Sequence, residues 1–344
     1  MNELSHHHVT VARDGELSRF VETCAARHFG SHSPIDGIER RLNDYHSSFA
    51  IEEITVLFAG GKRLPLILKN LSPDALLEYA RQIRPHFSYR SDREIVVYRD
   101  ILAGAGLGTP MCYGALHDAE RRRYWLLLEK VAGYPLAKTG EFAAWCEAAR
   151  WLADLHCRFA DVADHQDIAA KLLEYNEDFF HAWIDRAELF CSLRARTAGS
   201  RPPIRRLADQ CRRAVRKICD LPQTFIHGEF YASNILIGRC GDRTRICPID
   251  WETAAIGPGL LDVAALVAGQ WTADERTELA LAYFDALRRP MNPYSNYDDF
   301  AQALRCCRLF LAIKWLGWSS DWQAPDEHRC DWLAEAIELA PTIQ

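Results

Sequence analysis

Residues 227–236 read HGEFYASNIL. A carboxylate, Glu229, and an amide, Asn234, stand five residues apart behind a His-Gly pair, and Asp250 follows 16 residues after Asn234. The short apolar runs 224–227, 235–238 and 245–250 read as strands, so these polar side chains fall where strands run into loops. Two oxygen donors from separate turns, with one carboxylate nearby, suit phosphoryl transfer. Its loose transition state asks a protein mainly to position phosphates, hold Mg²⁺ and place an acceptor hydroxyl in line. Mg²⁺ favours hard oxygen donors of this kind.

Upstream of this stretch the periodicity changes twice. Leu17, Phe20, Val21, Cys24 and Ala25 fall at helical spacing over 16–28, and Gly30 with the segment 31–34 ends that helix. Two apolar runs, 49–58 and 64–69, flank Gly60-Gly61 and read as a hairpin whose second strand ends at Lys69. Residues 92–102 carry a helical stripe of Ile95, Val96, Tyr98, Ile101 and Leu102, with Glu94 beside it. Strand-like runs follow at 111–115 and 124–129. Beyond Gly133 the pattern is mostly helical: 142–159, 172–193, 204–218, 261–269, 273–287, 298–316 and 327–339. The expected fold is therefore α+β and bilobal, with a small mixed or antiparallel sheet in an N-terminal lobe (1–130) joined through 129–133 to a mainly helical C-terminal lobe (131–344).

The 344-residue chain suffices for two cores, and its 49% hydrophobic and 26% charged residues are those of a water-exposed globular protein. A net charge of −6 argues against general nucleic-acid binding, which needs an excess of Lys and Arg over a whole face. No run of about 18 apolar residues exists and the N-terminus lacks an apolar export core, so the expectation is a cytoplasmic protein without membrane contact. The 12 cysteines form no C-x-x-C pair and read as reduced, mostly buried thiols. The run His6, His7, His8 reads as a solvated tail before it reads as a metal site.

HGEFYASNIL at 227–236, IDWE at 249–252 and GPGLLDVAAL at 257–266 together resemble the aminoglycoside phosphotransferase and choline kinase-like family, small-molecule relatives of protein kinases. They match its H-G-D-x-x-x-x-N loop, its metal-binding I-D-[FW]-[ED] and its G-P-x-x-x-D-L-A, in the same order. The departure is Glu229, where the family has Asp. The resemblance implies a protein kinase-like fold and makes Asn234 and Asp250 the Mg²⁺ ligands. It places Glu229 at the catalytic-base position, gives His227 a bracing role and has Asp262 anchor the loop by accepting hydrogen bonds. It also implies that Lys69 holds the phosphates of ATP or another NTP, that Glu94 pairs with Lys69, and that the backbone of 129–131, Glu129 to Val131, meets the adenine. The phosphate-covering loop corresponds to 41–49, which has no glycine; there Ser47 and Ser48 are the implied phosphate donors.

Each of these residues also has a plainer reading. Lys69 could simply surface at a strand end, and Glu53 and Glu78 compete with Glu94 for it. His156 reads as a packed or hydrogen-bonded structural histidine, and Trp251 as core with Glu252 beside the metal ligand. Trp315, Trp318 and Trp322 read first as packing and second as a substrate pocket; Asp321, Asp326 and Glu327 read first as a solvated face and second as partners of a cationic acceptor. Glu and Asp have similar reference pKa values, so Glu229 changes reach and not charge. With Asn234, Asp250, Asp262 and Lys69 all present, the favoured expectation is a Mg²⁺-dependent kinase acting on a hydroxyl of a small molecule, as monomer or homodimer. The alternatives are a non-catalytic nucleotide-binding module and nucleotidyl transfer on the same fold.

Overall fold

The computed structural model describes residues 10–11, 15–29, 34–43, 48–139, 141–198, 204–241, 243–318 and 330–343. Two compact units divide the chain, Met1–Ala132 and Gly133–Gln344.

In the first unit six strands form one sheet: β1 (Thr10–Val11), β2 (Ile35–Leu42), β3 (Ile51–Phe58), β4 (Arg63–Asn70), β5 (Cys112–Asp118) and β6 (Arg123–Glu129), in the order β1-β2-β3-β4-β6-β5 and antiparallel throughout. Gly60 and Gly61, with φ of 90° and 85°, make the turn between β3 and β4, a conformation open to residues without a Cβ. Helix α1 (Glu16–Phe29) lays Val21, Cys24 and Ala25 against Ile38, Ile54, Val56, Leu66 and Leu68. Because side chains alternate along a strand, burying Leu66 and Leu68 under α1 turns Lys69 to the opposite face. Helix α2 (Glu78–Ile83) and the short α3 (Arg93–Val96) lie between β4 and β5.

Strand β2 has no counterpart in the sequence-based expectation, which assigned 41–49 to a loop. Arg41 and Leu42 are instead the last residues of β2, and Ile38 alone on this strand is buried, so the strand carries almost no apolar alternation to read.

The second unit holds β7 (Gly133–Pro135), α4 (Phe142–Arg158), α5 (Gln166–Ala169), β8 (Leu173–Glu174), α6 (Glu177–Ala198), α7 (Ile204–Cys219), β9 (Gln223–Ile226), β10 (Ile235–Cys240), β11 (Arg243–Pro248), β12 (Ala255–Pro258), α8 (Leu260–Leu266), α9 (Ala273–Phe284), α10 (Tyr297–Leu316) and α11 (Trp332–Leu339). Two small sheets, β11-β10-β7 and β8-β12-β9, sit among these helices. Helix α10 packs against α6, α7, α8 and α11 and buries Phe300, Leu309, Phe310, Ala312 and Ile313. A helix buried on several faces is a core helix, which makes any charge on it conspicuous.

The expected helix over 172–193 begins only at Glu177. Ahead of it, Leu173 N–H donates to Ala254 O (3.2 Å) and Tyr175 N–H to Ile256 O (2.9 Å), so β8 lies parallel to β12. Backbone partners from a distant strand override the local apolar spacing. Helix α8 likewise stops at Leu266 rather than Gly269. Among the described residues no helix is long and apolar enough to cross a membrane. The described cysteines are free thiols.

Candidate active site

The loop after β9 is held from beneath by one carboxylate. Asp262, on α8 and fully buried, accepts the backbone N–H of His227 through Oδ2 (2.6 Å) and that of Gly228 through Oδ1 (2.8 Å). His156 on α4 approaches the same Oδ2 through Nε2 (3.4 Å), while its Nδ1 meets the Tyr283 hydroxyl at 2.8 Å. With Asp262 as the acceptor, Nε2 carries the proton and Nδ1 accepts from Tyr283. Burial raises the Tyr283 hydroxyl well above the ordinary phenol range, so it stays a donor. Gly259 leaves room for the His156 ring: a Cβ there would lie 2.6 Å from Nδ1.

His227 braces the turn with both ring nitrogens. Its Nε2 donates to Ile249 O (2.9 Å), which leaves Nδ1 to accept from Glu229 N–H (3.3 Å). Trp251, fully buried, stacks on Phe225 with centroids 5.4 Å apart and sits 4.4 Å from the His227 ring. Gly228 has φ of 83°, and a Cβ on it would meet Thr253 O at 2.4 Å. Glycine is required here both by backbone conformation and by space.

The hairpin explains the spacing between Asn234 and Asp250. Ile235 pairs with Pro248, and Ile249 N–H donates to Asn234 O (2.8 Å), so the two ends of the β10–β11 hairpin bring Asn234 beside the chain that leads into Asp250. Asp250 adopts a left-handed conformation, φ 66° and ψ 61°, an uncommon geometry for a residue with a Cβ and one that Asp tolerates. Asn234 uses Nδ2 to donate to Glu229 O (3.1 Å), which makes Oδ1 the atom it could offer a metal. A carboxylate and an amide oxygen are donors that fit Mg²⁺, which takes few protein ligands and completes its shell with water and phosphate. Among the described residues there is no group of three or more His, Cys, Asp or Glu side chains arranged to hold a metal, as a structural zinc site would need.

Lys314 was not anticipated from sequence. It lies near the end of α10, 6% exposed, with Nζ 3.4 Å from Gly228 O and 3.7 Å from Glu229 Oε1. Burial lowers its ammonium pKa, against the opposing pull of Glu229 and Asp262. The signal was present: Lys314 is the single charge in LFLAIKWLGW, residues 309–318. Its meaning depends on Gly228 and Glu229, far away in the chain.

In the first unit, Lys69 and Glu94 form a buried ion pair. Nζ donates to Oε1 at 2.7 Å and lies 2.7 Å from Oε2, with side chains 8% and 1% exposed. The two rival carboxylates are engaged elsewhere. Exposed Glu78 is paired with Arg81, and Glu53 takes Lys130 (2.7 Å) and Arg41. Partial burial pushes the Glu53 carboxyl up, but the bonds from Lys130 and Arg41 outweigh it and leave it below the usual value. Glu94 stands at the start of α3, just before the wide turn 97–101, where Leu102 N–H reaches Val97 O (2.9 Å). Ser48 accepts from Arg84 Nη2 (2.6 Å); Ser47 lies outside the described residues. Glu129 is tied to Met111 twice, its N–H to Met111 O (2.8 Å) and its Oε2 accepting Met111 N–H (3.1 Å), and Val131 follows as a half-buried residue.

A cavity of about 190 Å³ opens beside the loop, lined by Trp145, Tyr231, Ala232, Gln270, Trp271 and Trp332 among others. Burial holds the Tyr231 hydroxyl well above the usual phenol range, so it stays protonated. Of the tryptophans singled out from sequence, Trp315 stacks on Trp332 (5.5 Å) and Trp318 on Trp183 (5.7 Å). Trp322, Asp321, Asp326 and Glu327 lie outside the described residues, as do His6, His7 and His8.

Comparisons with solved structures return one fold. The chain is similar to choline kinase LicA from Streptococcus pneumoniae (14% identity, 93% of this chain and 99% of that one, TM-score 0.56) and to an ethanolamine kinase from Plasmodium vivax (12% identity, 95% and 88%, TM-score 0.55). It is also similar to macrolide 2'-phosphotransferase MphH from Brachybacterium faecium (16% identity, 86% and 90%, TM-score 0.51). No curated protein matches it by sequence. At these identities the likeness is one of fold, the bilobal fold of protein kinase-like small-molecule kinases. Residues 53–301 match the phosphotransferase enzyme family, a span that contains the loop, the hairpin, Asp262 and the Lys69–Glu94 pair, and the chain belongs to that family.

Proposed function

We propose that this protein is an ATP-dependent kinase that transfers the γ-phosphoryl group to a hydroxyl of a small molecule. The observation that carries the reading is the β10–β11 hairpin, which sets Asn234, five residues after Glu229, beside the approach to Asp250 on a loop clamped by Asp262. Family membership supports it.

Asn234 and Asp250 would hold Mg²⁺, which when bound neutralises charge on the donor phosphates. Lys69, kept in place by Glu94, would supply a buried ammonium for nucleotide phosphates. Glu229 accepts a hydrogen bond from the acceptor hydroxyl and orients its lone pair along the line of transfer. In a loose transition state the hydroxyl keeps its proton until late, so orientation is the larger part of this contribution. The Asp262 clamp and the His227 brace hold the loop rigid, so the geometry is set before substrate binds.

Choline, ethanolamine and a macrolide are the substrates named for the three similar structures, which points to amino alcohols and hydroxylated antibiotics or sugars as the acceptors to try first. The test incubates purified protein with Mg·ATP and a panel of such acceptors and weighs the products by mass spectrometry. A gain of one phosphate is expected. A gain of a nucleoside monophosphate would replace the reading with nucleotidyl transfer. ATP binding with no product across the panel would favour a non-catalytic module.

A further inference from the structure

Lys314 is a buried cation with a short partner list. Its ammonium has three N–H groups, and around it stand Gly228 O at 3.4 Å, Glu229 Oε1 at 3.7 Å and the face of Trp183, centroid 5.7 Å away. Its backbone belongs to α10, where Ile313, Lys314 and Leu316 are all buried, so the side chain starts from the packed core. The Lys314 and Glu229 side chains are 7% and 17% exposed, so little water screens the pair.

Two features tie this cation to the loop rather than to general charge balance. It touches the carbonyl of Gly228, whose N–H is already held by Asp262, so that the peptides on either side of this one residue are both held. It also faces the one carboxylate in the loop that has an extra rotatable bond. A glutamate at this position reaches farther than an aspartate and has one more torsion to fix, and misplacement by about 1 Å costs on the order of 100-fold in rate. At 3.7 Å the Glu229 contact is longer than the roughly 2.7–2.9 Å of a charge-assisted hydrogen bond, so the ammonium acts on the carboxylate chiefly as a nearby charge.

We propose that Lys314 is a positioning residue for phosphoryl transfer: anchored in α10 and braced on Gly228 O, its ammonium sets where the longer Glu229 side chain places its carboxylate, and the two residues work as one unit. The proposal rests on the reading of Glu229 as the group facing the acceptor hydroxyl.

The experiment measures inorganic phosphate release from Mg·ATP by the full chain, with water standing in for the acceptor hydroxyl, in the wild type, E229Q, K314M, K314Q, K314R, E229Q/K314M and D250N. Thermal melts confirm folding in each. K314M is expected to lower kcat about 10- to 100-fold while KM for ATP stays within about twofold. K314R should recover part of the loss, and E229Q/K314M should be no slower than its slower parent, because the second change removes a group already idle. Should K314M fail to fold, K314Q keeps a donor for Gly228 O without the charge and is expected to show the same loss. A wild-type rate in K314M or K314Q beside an impaired E229Q and an inactive D250N overturns the positioning role alone. Multiplying losses in the double variant do the same. A wild-type rate in D250N overturns the underlying functional reading and the inference with it.

Discussion

The Asp262 carboxylate accepts the backbone N–H of Gly228 at 2.8 Å, although the two residues are 34 positions apart. With the His227 N–H on its other oxygen, one fully buried side chain determines the course of the loop that carries Glu229 and Asn234. The loop is therefore only as well placed as helix α8.

Replacing Asp262 with Ala would leave two buried N–H groups and the His156 ring without their acceptor. Each unmet buried donor costs about 1–3 kcal/mol, so a loss of about 3–5 kcal/mol is expected, with phosphoryl transfer falling alongside it. Asp262→Asn keeps one acceptor oxygen and should lose less. Urea denaturation of the two variants checks the order; equal stability in Asp262→Ala and the wild type would refute the clamp.

Asp250→Asn should leave stability within about 0.5 kcal/mol, since Asn is at ease in the left-handed conformation that Asp250 adopts. Turnover should fall by about 1,000-fold or more as the proposed anionic metal ligand is lost. Melting temperature and steady-state rate, measured on the same preparation, separate the two effects.

For Lys69 the pair with Glu94 predicts a split result. Lys69→Met strands a carboxylate that is 1% exposed, which costs about 3–5 kcal/mol, and it also removes the cation proposed for the donor phosphates. Adding Glu94→Leu to Lys69→Met should restore most of the stability and none of the activity. Recovery of kcat/KM for ATP in the double variant would show that Lys69 serves the fold alone.

Gly228→Ala meets Thr253 O at 2.4 Å with φ at 83° and is expected to cost more than 2 kcal/mol and to distort the loop. Gly37→Ala, on β2, where an added Cβ would have Leu57 Cδ1 as its nearest neighbour at 3.8 Å, serves as the comparison substitution. A melting temperature in Gly228→Ala equal to the wild type would show that the Thr253 carbonyl yields.

Much of this was readable in one dimension because the rules behind it are local. Gly60-Gly61 between two alternating apolar runs makes a hairpin by turn chemistry, and the stripe beside Glu94 marks a helical segment, although only Arg93–Val96 is α-helical and 97–101 widens. Strand β2 escaped because its single buried residue, Ile38, makes no pattern. Strand β8 escaped because its hydrogen bonds come from Ala254 and Ile256. The boundary of the phosphate-loop assignment moved for the same reason, with Arg41 and Leu42 taken into β2.

By itself the sequence determined the α+β class, the order of most elements and the residues of the loop, since turn residues, apolar period and the HGEFYASNIL, IDWE and GPGLLDVAAL stretches are local properties of the chain. The tertiary structure alone decided that Glu94, and neither Glu53 nor Glu78, takes Lys69, and that Asp250 sits in a left-handed turn. It also decided that a lysine 86 residues beyond Gly228 stands against the Glu229 carboxylate. Those outcomes depend on which buried charges meet after the core has closed, and removing a charge from water is a cost only the folded environment can set.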